Sequence, residues 1–150
     1  MNRKILLIIF VFLIILFSTG CVYCQEKEDE EESIDILEIV IDHFDKNFNV
    51  GKKSLKAFEM VGAVEGFGLF VDEEEIEIYL YDPTSDKPLT QNNIKKAKTE
   101  GTMVVEGFEN FPPFPVIYNE KINVALFGYD EHSNGNEIVK IFKSITLEKK

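Results

Sequence analysis

Hydrophobic positions change their period several times along the chain, and each change marks an element. Ile5–Phe17 is an unbroken apolar run of Ile, Leu, Val and Phe. From Ser33 the apolar residues Ile34, Leu37, Ile41, Phe44 and Phe48 fall at alternating three- and four-residue steps. That spacing puts them on one helix face. Ser33 is placed to cap this helix, Asp35 suits its first turn and Gly51 would end it. Lys52–Val61 reads as a second helical stretch with Leu55 and Phe58 turned inward. The period then drops to two. In Ala63–Val71, Phe67, Leu69 and Val71 alternate. After Asp72–Glu74, Ile76, Ile78 and Leu80 face one way, while Glu75, Glu77, Tyr79 and Tyr81 face the other. This predicts a β-hairpin with one apolar and one wetter face.

Asp82-Pro83 ends the hairpin. Thr90 reads as the cap of a helix through Thr99, with Leu89 and Ile94 as a hydrophobic staple and Gly101 as the stop. Thr102–Val105 is extended. A second hairpin pairs Pro115–Tyr118 with Ile122–Phe127 across Asn119–Lys121. The loop Asp130–Gly135 leads to a last helix from Asn136, with Ile138, Phe142 and Ile145 as its buried stripe, flanked by Val139 and Ile141. Strands joined by tight turns are antiparallel, and helices with one apolar stripe cover a sheet face. The expected fold is therefore α+β in two layers. A four-stranded, mainly antiparallel sheet of two hairpins would be covered by helices on one face, all in a single domain over residues 34–150. Pro115–Ile145, running strand–turn–strand–Gly128–helix, resembles the C-terminal third of the thioredoxin fold, where a proline opens the third strand. That makes a thioredoxin-like arrangement the alternative. Ala63–Val105 holds no cysteine, so the resemblance implies no thiol chemistry.

Composition sharpens the picture outside the domain. Hydrophobic residues are 45% and charged residues 29% of the 150, a globular balance. The net charge is −11, and the only charges in residues 1–20 are Arg3 and Lys4. Residues 21–150 therefore hold 14 cations against 27 acids, a net −13. So acidic a surface repels phosphate backbones, which excludes nucleic acid as a partner, and it disfavours anionic headgroups.

The leader has three parts: cationic Met1–Lys4, the apolar Ile5–Phe17, and the small residues Ser18-Thr19-Gly20 before Cys21. This is the build of a secretory signal. As a helix the apolar run reaches only about 20 Å, short of a hydrocarbon core of roughly 30 Å. Ser18-Thr19-Gly20-Cys21 resembles the lipobox of prokaryotic lipoproteins, although Ser18 stands where that class usually has an aliphatic residue. The resemblance implies cleavage after Gly20 and a lipidated Cys21 at the new N-terminus, fixing the protein to the cell membrane outside the cytoplasm. The alternative is an uncleaved single-pass N-terminal anchor, Ile5–Cys24, which would just reach across. Residues 21–33 form the lipidated start and an acidic tether. Gln25–Ser33 has six acids and one lysine, self-repels, and extends to about 30 Å as a spacer. Cys21 and Cys24 are the only cysteines. Without a second ligand pair they form neither a zinc site nor a stapled core, and Cys24 is left as a membrane-proximal thiol.

Candidate chemistry within the domain is sparse. His43 falls on the flank of the first helix and reads as a surface residue. His132, in Asp130-Glu131-His132-Ser133-Asn134-Gly135, sits in a polar loop whose neighbouring oxygen and nitrogen donors are of the kind that ligate a cation. No second His or Cys completes a set, and a solvated helix-entry loop is the simpler reading. No Gly-x-Ser-x-Gly elbow surrounds any serine. Gly62, Gly66 and Gly68 lie in a strand-like context rather than a phosphate loop. The sequence implies no metal and no cofactor. Gly107–Pro115 concentrates Phe108, Phe111 and Phe114 among three prolines. This segment either protects a sheet edge or offers a hydrophobic binding loop. The leading expectation is a membrane-anchored extracytoplasmic module that binds an envelope protein or a small ligand. The alternative is an extracytoplasmic hydrolase using acids and His132. A pocket joining His132 to carboxylates would favour the enzyme, and an exposed apolar patch at Phe108–Pro115 the binding module.

Overall fold

Residue Asp35 opens the first helix by accepting, through its side chain, the amides of Leu37 at 3.0 Å and Glu38 at 3.1 Å. These are two of the donors a helix start leaves unpaired. The computed structural model describes residues 35–108 and 110–147. The expected roles of Met1–Ile34, including Gly20, Cys21, the acidic tether, the Ser33 cap and Ile34, lie outside the described residues. Helix α1 (Ile36–Asp45) buries Leu37, Val40 and Phe44. It ends well before Gly51, which is a strand residue.

The elements after α1 are β1 (Val50–Leu55), a short 3-10 helix (Phe58–Val61), β2 (Glu65–Val71), β3 (Glu74–Leu80), α2 (Pro88–Thr99), β4 (Thr102–Met103), β5 (Phe114–Asn119), β6 (Val124–Phe127) and α3 (Gly135–Ser144). The strands form one sheet in the order β1-β2-β3-β6-β5-β4, antiparallel at every junction. The fold is α+β with an antiparallel sheet, as the alternation predicts, but the sheet has six strands rather than four.

One added strand comes from the segment read as a second helix. Val50–Leu55 pairs with β2, matching Ser54 to Gly68 and Leu55 to Phe67. Leu55, expected inward, is fully exposed. Two apolar positions at helical spacing were a weak signal, and pairing with a long neighbouring strand overrides such local preference. Lysines 52 and 53 keep this outer edge charged, a common defence of exposed strands. The other outer strand, β4, has two residues and offers little edge to pair with.

Both sheet faces carry helices, which corrects the two-layer expectation. On one face α1 and α3 bury Leu37, Val40, Phe44, Ile138 and Phe142 against Leu69, Val71, Ile76, Ile78, Val124 and Leu126. On the other, Ile94 and Ala97 of α2 pack with Val61, Met103, Val116, Ala125, Tyr79 and Tyr81. Tyr79 of β3 and Tyr81 just past its end, both expected on the wet side of the hairpin, are thus core residues, and only Glu75 and Glu77 there remain near solvent. The region 63–105, which a thioredoxin-like arrangement would need for its strand–helix half, supplies this antiparallel hairpin, α2 and β4 instead.

Helix α2 starts earlier than expected, with Pro88 in its first turn and Lys87 at the cap position. Thr90 is inside the helix, and its hydroxyl donates to Gly62 O at 2.7 Å. Buried Asn93 donates to Val61 O and Val104 O and accepts the Val104 amide, each at 2.8 Å. One side chain therefore satisfies backbone groups from two connections. Gly101, at φ +65°, ends the helix in the left-handed region. Asn119, at the end of β5, plays a matching part for α3: its amide donates to Phe142 O at 2.9 Å and Ile145 O at 3.0 Å.

Replacing Asn93 by alanine removes the side chain that pairs the Val104 amide and carbonyl and leaves Val61 O with the Tyr81 hydroxyl alone, and unpaired backbone groups are costly to bury. The expected loss is about 3 kcal/mol of unfolding free energy, read from the urea midpoint at unchanged slope. A loss below about 0.5 kcal/mol would show that water replaces the side chain there.

Candidate functional site

Three groups of side chains at the margins of the two cores carry potential chemistry. The first lies on the part of the second sheet face that α2 does not cover. There β2 presents Gly66 and Gly68, flanked by Ser54 of β1 and by Glu75, Glu77 and Tyr79 of β3. A side chain at position 68 would overlap Glu75 Oε1, Ser54 Oγ and Lys56 Cε, so glycine is what lets these chains lie flat across the strand. Ser54 Oγ donates to Glu75 and the Tyr79 hydroxyl to Glu77. Lys56 Nζ bridges the two carboxylates at 3.0 Å and 2.8 Å. The Lys52 ammonium sits 5.4 Å from the centre of the Phe70 ring beside them.

This network is electrostatically settled. Partial burial pulls the Lys56 pKa down, but its bonds to Glu77 and Glu75 outweigh that and hold it above the ordinary value. The Ser54 hydroxyl bond, against some desolvation and aided by Lys56, holds the Glu75 carboxyl below its ordinary range. Desolvation and the Glu77 contact push the Tyr79 phenol upward. At neutral pH the lysine and glutamate stay charged and the phenol stays neutral, so none is poised to exchange protons with a substrate.

The second group surrounds His132. The expectation of a solvated loop residue is overturned: the imidazole is wholly shielded from solvent. Its Nε2 lies 2.9 Å from Val71 O and its Nδ1 accepts the Asn134 amide at 3.0 Å. A nitrogen that accepts an N–H carries no proton, so the ring is the neutral Nε2–H tautomer donating to the carbonyl. The β2–β3 turn is tied to the same loop. Asp72 and Glu73 take positive φ, as in a type I′ turn. Glu74 Oε2 accepts the Ser133 amide at 2.6 Å and lies 3.4 Å from His132 Nδ1. Asp72 accepts from the Asn134 side chain at 3.0 Å and from the Asn49 amide at 3.0 Å. The bonds from Ser133, with a lesser pull from His132, lower the Glu74 pKa.

Two shallow depressions share His132 as a wall. One, of about 500 Å³, runs along Tyr129–Glu137; the other, of about 380 Å³, is lined by Glu74, Glu75, Glu77, Phe127, Gly128 and Glu131. Neither lining includes a lysine or arginine, so neither suits an anion. Among the described residues no three His, Cys, Asp or Glu side chains are grouped to hold a metal. His43, on the flank of α1 as expected, is half-buried and bonds Ile39 O at 2.8 Å through Nδ1.

The third group is the aromatic–proline segment, which the structure divides. Phe114 begins β5 and meets Phe127 edge-on at 5.6 Å, joining the second core. Phe108 and Phe111 turn outward, 44% and 60% exposed, with ring centres 5.5 Å apart. Their loop is fastened by Glu106 N to Met60 O at 2.7 Å, Phe108 N to Val105 O at 3.0 Å and Phe111 N to Phe108 O at 3.0 Å. Sequence reasoning found these rings but could not separate Phe114 from its neighbours. It missed the Ser54–Glu77 network altogether, because that network depends on β1 being a strand.

No protein-family model, no curated protein and no solved structure matches the chain.

The tautomer is directly measurable. A long-range 1H–15N spectrum at pH 7.5 should show His132 with a protonated Nε2 and a bare Nδ1. The opposite tautomer would break the assignment of Asn134 as donor.

Proposed function

We propose that this chain is an extracytoplasmic binding module held at the cell membrane by its N-terminus, with Phe108 and Phe111 as the contact through which it engages an envelope protein or an apolar ligand. The observation that carries this reading is the outward ring pair on a loop whose backbone is already hydrogen-bonded. Exposed aromatics are the commonest anchors of protein contacts, and a fastened loop loses little freedom on binding. The N-terminal part of the reading rests on the cationic start, the thirteen-residue apolar run and the Ser18-Thr19-Gly20-Cys21 exit. Among the described residues no helix is long and apolar enough to cross a membrane.

The hydrolase alternative draws less support from the geometry. The depression beside His132 does gather glutamates, but both ring nitrogens are occupied by backbone groups. Glu74 and Glu75 are held below the ordinary carboxylate range, whereas a general acid needs its pKa raised toward neutrality.

Two measurements test the proposal. Intact mass of the protein extracted from bacterial membranes should show residues 1–20 removed and an acyl mass added, both lost in Cys21→Ala; an unprocessed chain sinks the lipoprotein part. For the binding part, the tethered protein should capture envelope components that a Phe108→Ser/Phe111→Ser variant captures at least tenfold less, at a melting temperature within about 2 °C. Equal capture by the two removes the aromatic pair as the contact.

A further inference from the structure

We propose that His132 is a proton-operated latch between the β2–β3 turn and the start of α3, in which protonation exchanges the Asn134 amide for the Glu74 carboxylate as the partner of Nδ1. This does not rest on the binding function above. The inference follows from where a second proton must go. In the neutral ring Nε2 already carries hydrogen toward Val71 O, so only Nδ1 is left to accept one. Nδ1 now takes the Asn134 amide at 3.0 Å. Once protonated it would face that N–H donor to donor, a contact that cannot persist. A carboxylate oxygen of Glu74 waits 3.4 Å away. A shift of about half an ångström would bring it to the length of a charge-assisted bond.

The surroundings favour this exchange. The β2–β3 turn contributes Asp72 and Glu74, and β3 contributes Glu75 and Glu77. The loop itself contributes Asp130 and Glu131, and α3 contributes Glu137. Lys56, the lysine that meets this group of carboxylates, is already paired to Glu75 and Glu77. Seven carboxylates therefore surround the loop, and Glu74 is the one whose oxygen lies against Nδ1.

The exchange reaches beyond the ring. The Asn134 carbonyl accepts the Glu137 and Ile138 amides, both at 3.0 Å, and so starts α3. Asn134 also walls one depression, while Glu74 walls the other. Releasing the first and drawing in the second alters both walls at once. Val71 O and the Ser133 bond to Glu74 are kept throughout, so the loop changes its hold without leaving the turn.

The test uses the full chain, 15N-labelled and held in detergent, between pH 7.5 and 5.5, where imidazoles ordinarily take up a proton. As the His132 ring titrates, the protection factor of the Asn134 amide should fall at least tenfold while that of Ser133 is retained. Glu74→Gln should move the His132 midpoint to lower pH by about half a unit or more. His132→Gln should abolish the pH dependence at Asn134. Constant Asn134 protection through the titration would overturn the latch. So would a ring that takes no proton by pH 5.5, or a midpoint unmoved in Glu74→Gln, the variant that decides should His132→Gln fail to fold.

Discussion

A six-stranded sheet has two faces to keep from water, and the described chain has three short helices with which to do it. Strands lie about 4.8 Å apart, so the outer two are separated by roughly 24 Å. A helix with its side chains covers about 10 Å. Two helices therefore nearly close one face, and α1 and α3 do so over Leu69, Val71, Ile76, Ile78, Val124 and Leu126. A single helix covers less than half of the other. Helix α2 lies over the β4–β5 side and reaches only the Tyr79 end of β3, leaving β1, much of β2 and the Glu75–Glu77 end of β3 without a helix on that face. The remaining features of the molecule answer that shortfall. There β2 drops its side chains: Gly66 leaves room for the Tyr79 ring and for Phe58 of the 3-10 helix, and at Gly68 the polar chains of Ser54, Lys56 and Glu75 fold over the gap. Ion pairs of this partly exposed kind add little net stability. Their value here is coverage: the aliphatic stems of Lys56, Glu75 and Glu77 shield the strand while their heads remain wet.

Three buried polar residues hold the connections. Asn93 clamps the turn before β2 and the chain after β4. Asn119 closes the end of α3. His132 joins the end of β2 to the loop before that helix. Each contributes modestly as a bond, since folding exchanges it for water. Each is nevertheless strict, because an unpaired backbone group in the same place would be costly. They fix where the helices start and stop, which a core of interchangeable aliphatic side chains does not.

Elements with a long, consistent period were legible in the sequence. The β2–β3 hairpin, α1, α3 and the Gly101 stop lie within a few residues of their expected places. What escaped were features set by distant partners. Val50–Leu55 is a strand because Phe67, Gly68 and Leu69 lie beside it, and nothing inside a lysine-rich hexapeptide says so. The burial face of α2, Thr90, Asn93, Ile94 and Ala97, is half polar, so it reads as surface until the carbonyls it serves are located. Tyr79 and Tyr81 alternate with Glu75 and Glu77 yet are buried, because α2 and the 3-10 helix arrive over one end of β3 only. His132 carried a usable clue. Extending the pairing of β3 with β6 beyond Glu77 and Phe127 brings residues 130–134 beside the Asp72–Glu74 turn, where the histidine meets the carbonyl of Val71 at the end of β2.

Charge and exposure together limit what the molecule can engage. Both depressions are walled by carboxylates and neither by a lysine or arginine, and such a field turns away phosphates and other anions. Phe108 and Phe111 are the uncharged exception, yet small. Fully burying a phenylalanine yields about 1.5–3 kcal/mol, and these rings are already about half covered. Together they supply roughly 2–3 kcal/mol, below the approximately 4 kcal/mol of a millimolar complex. Free in solution, that contact would not hold. In the proposed tethered arrangement the same rings meet a membrane-bound partner at an effective concentration set by the spacer, reaching the millimolar range without any new contact. A weak aromatic contact and an acidic body are thus consistent with the proposed tether. On that proposal confinement, rather than intrinsic affinity, is what lets so small a patch act.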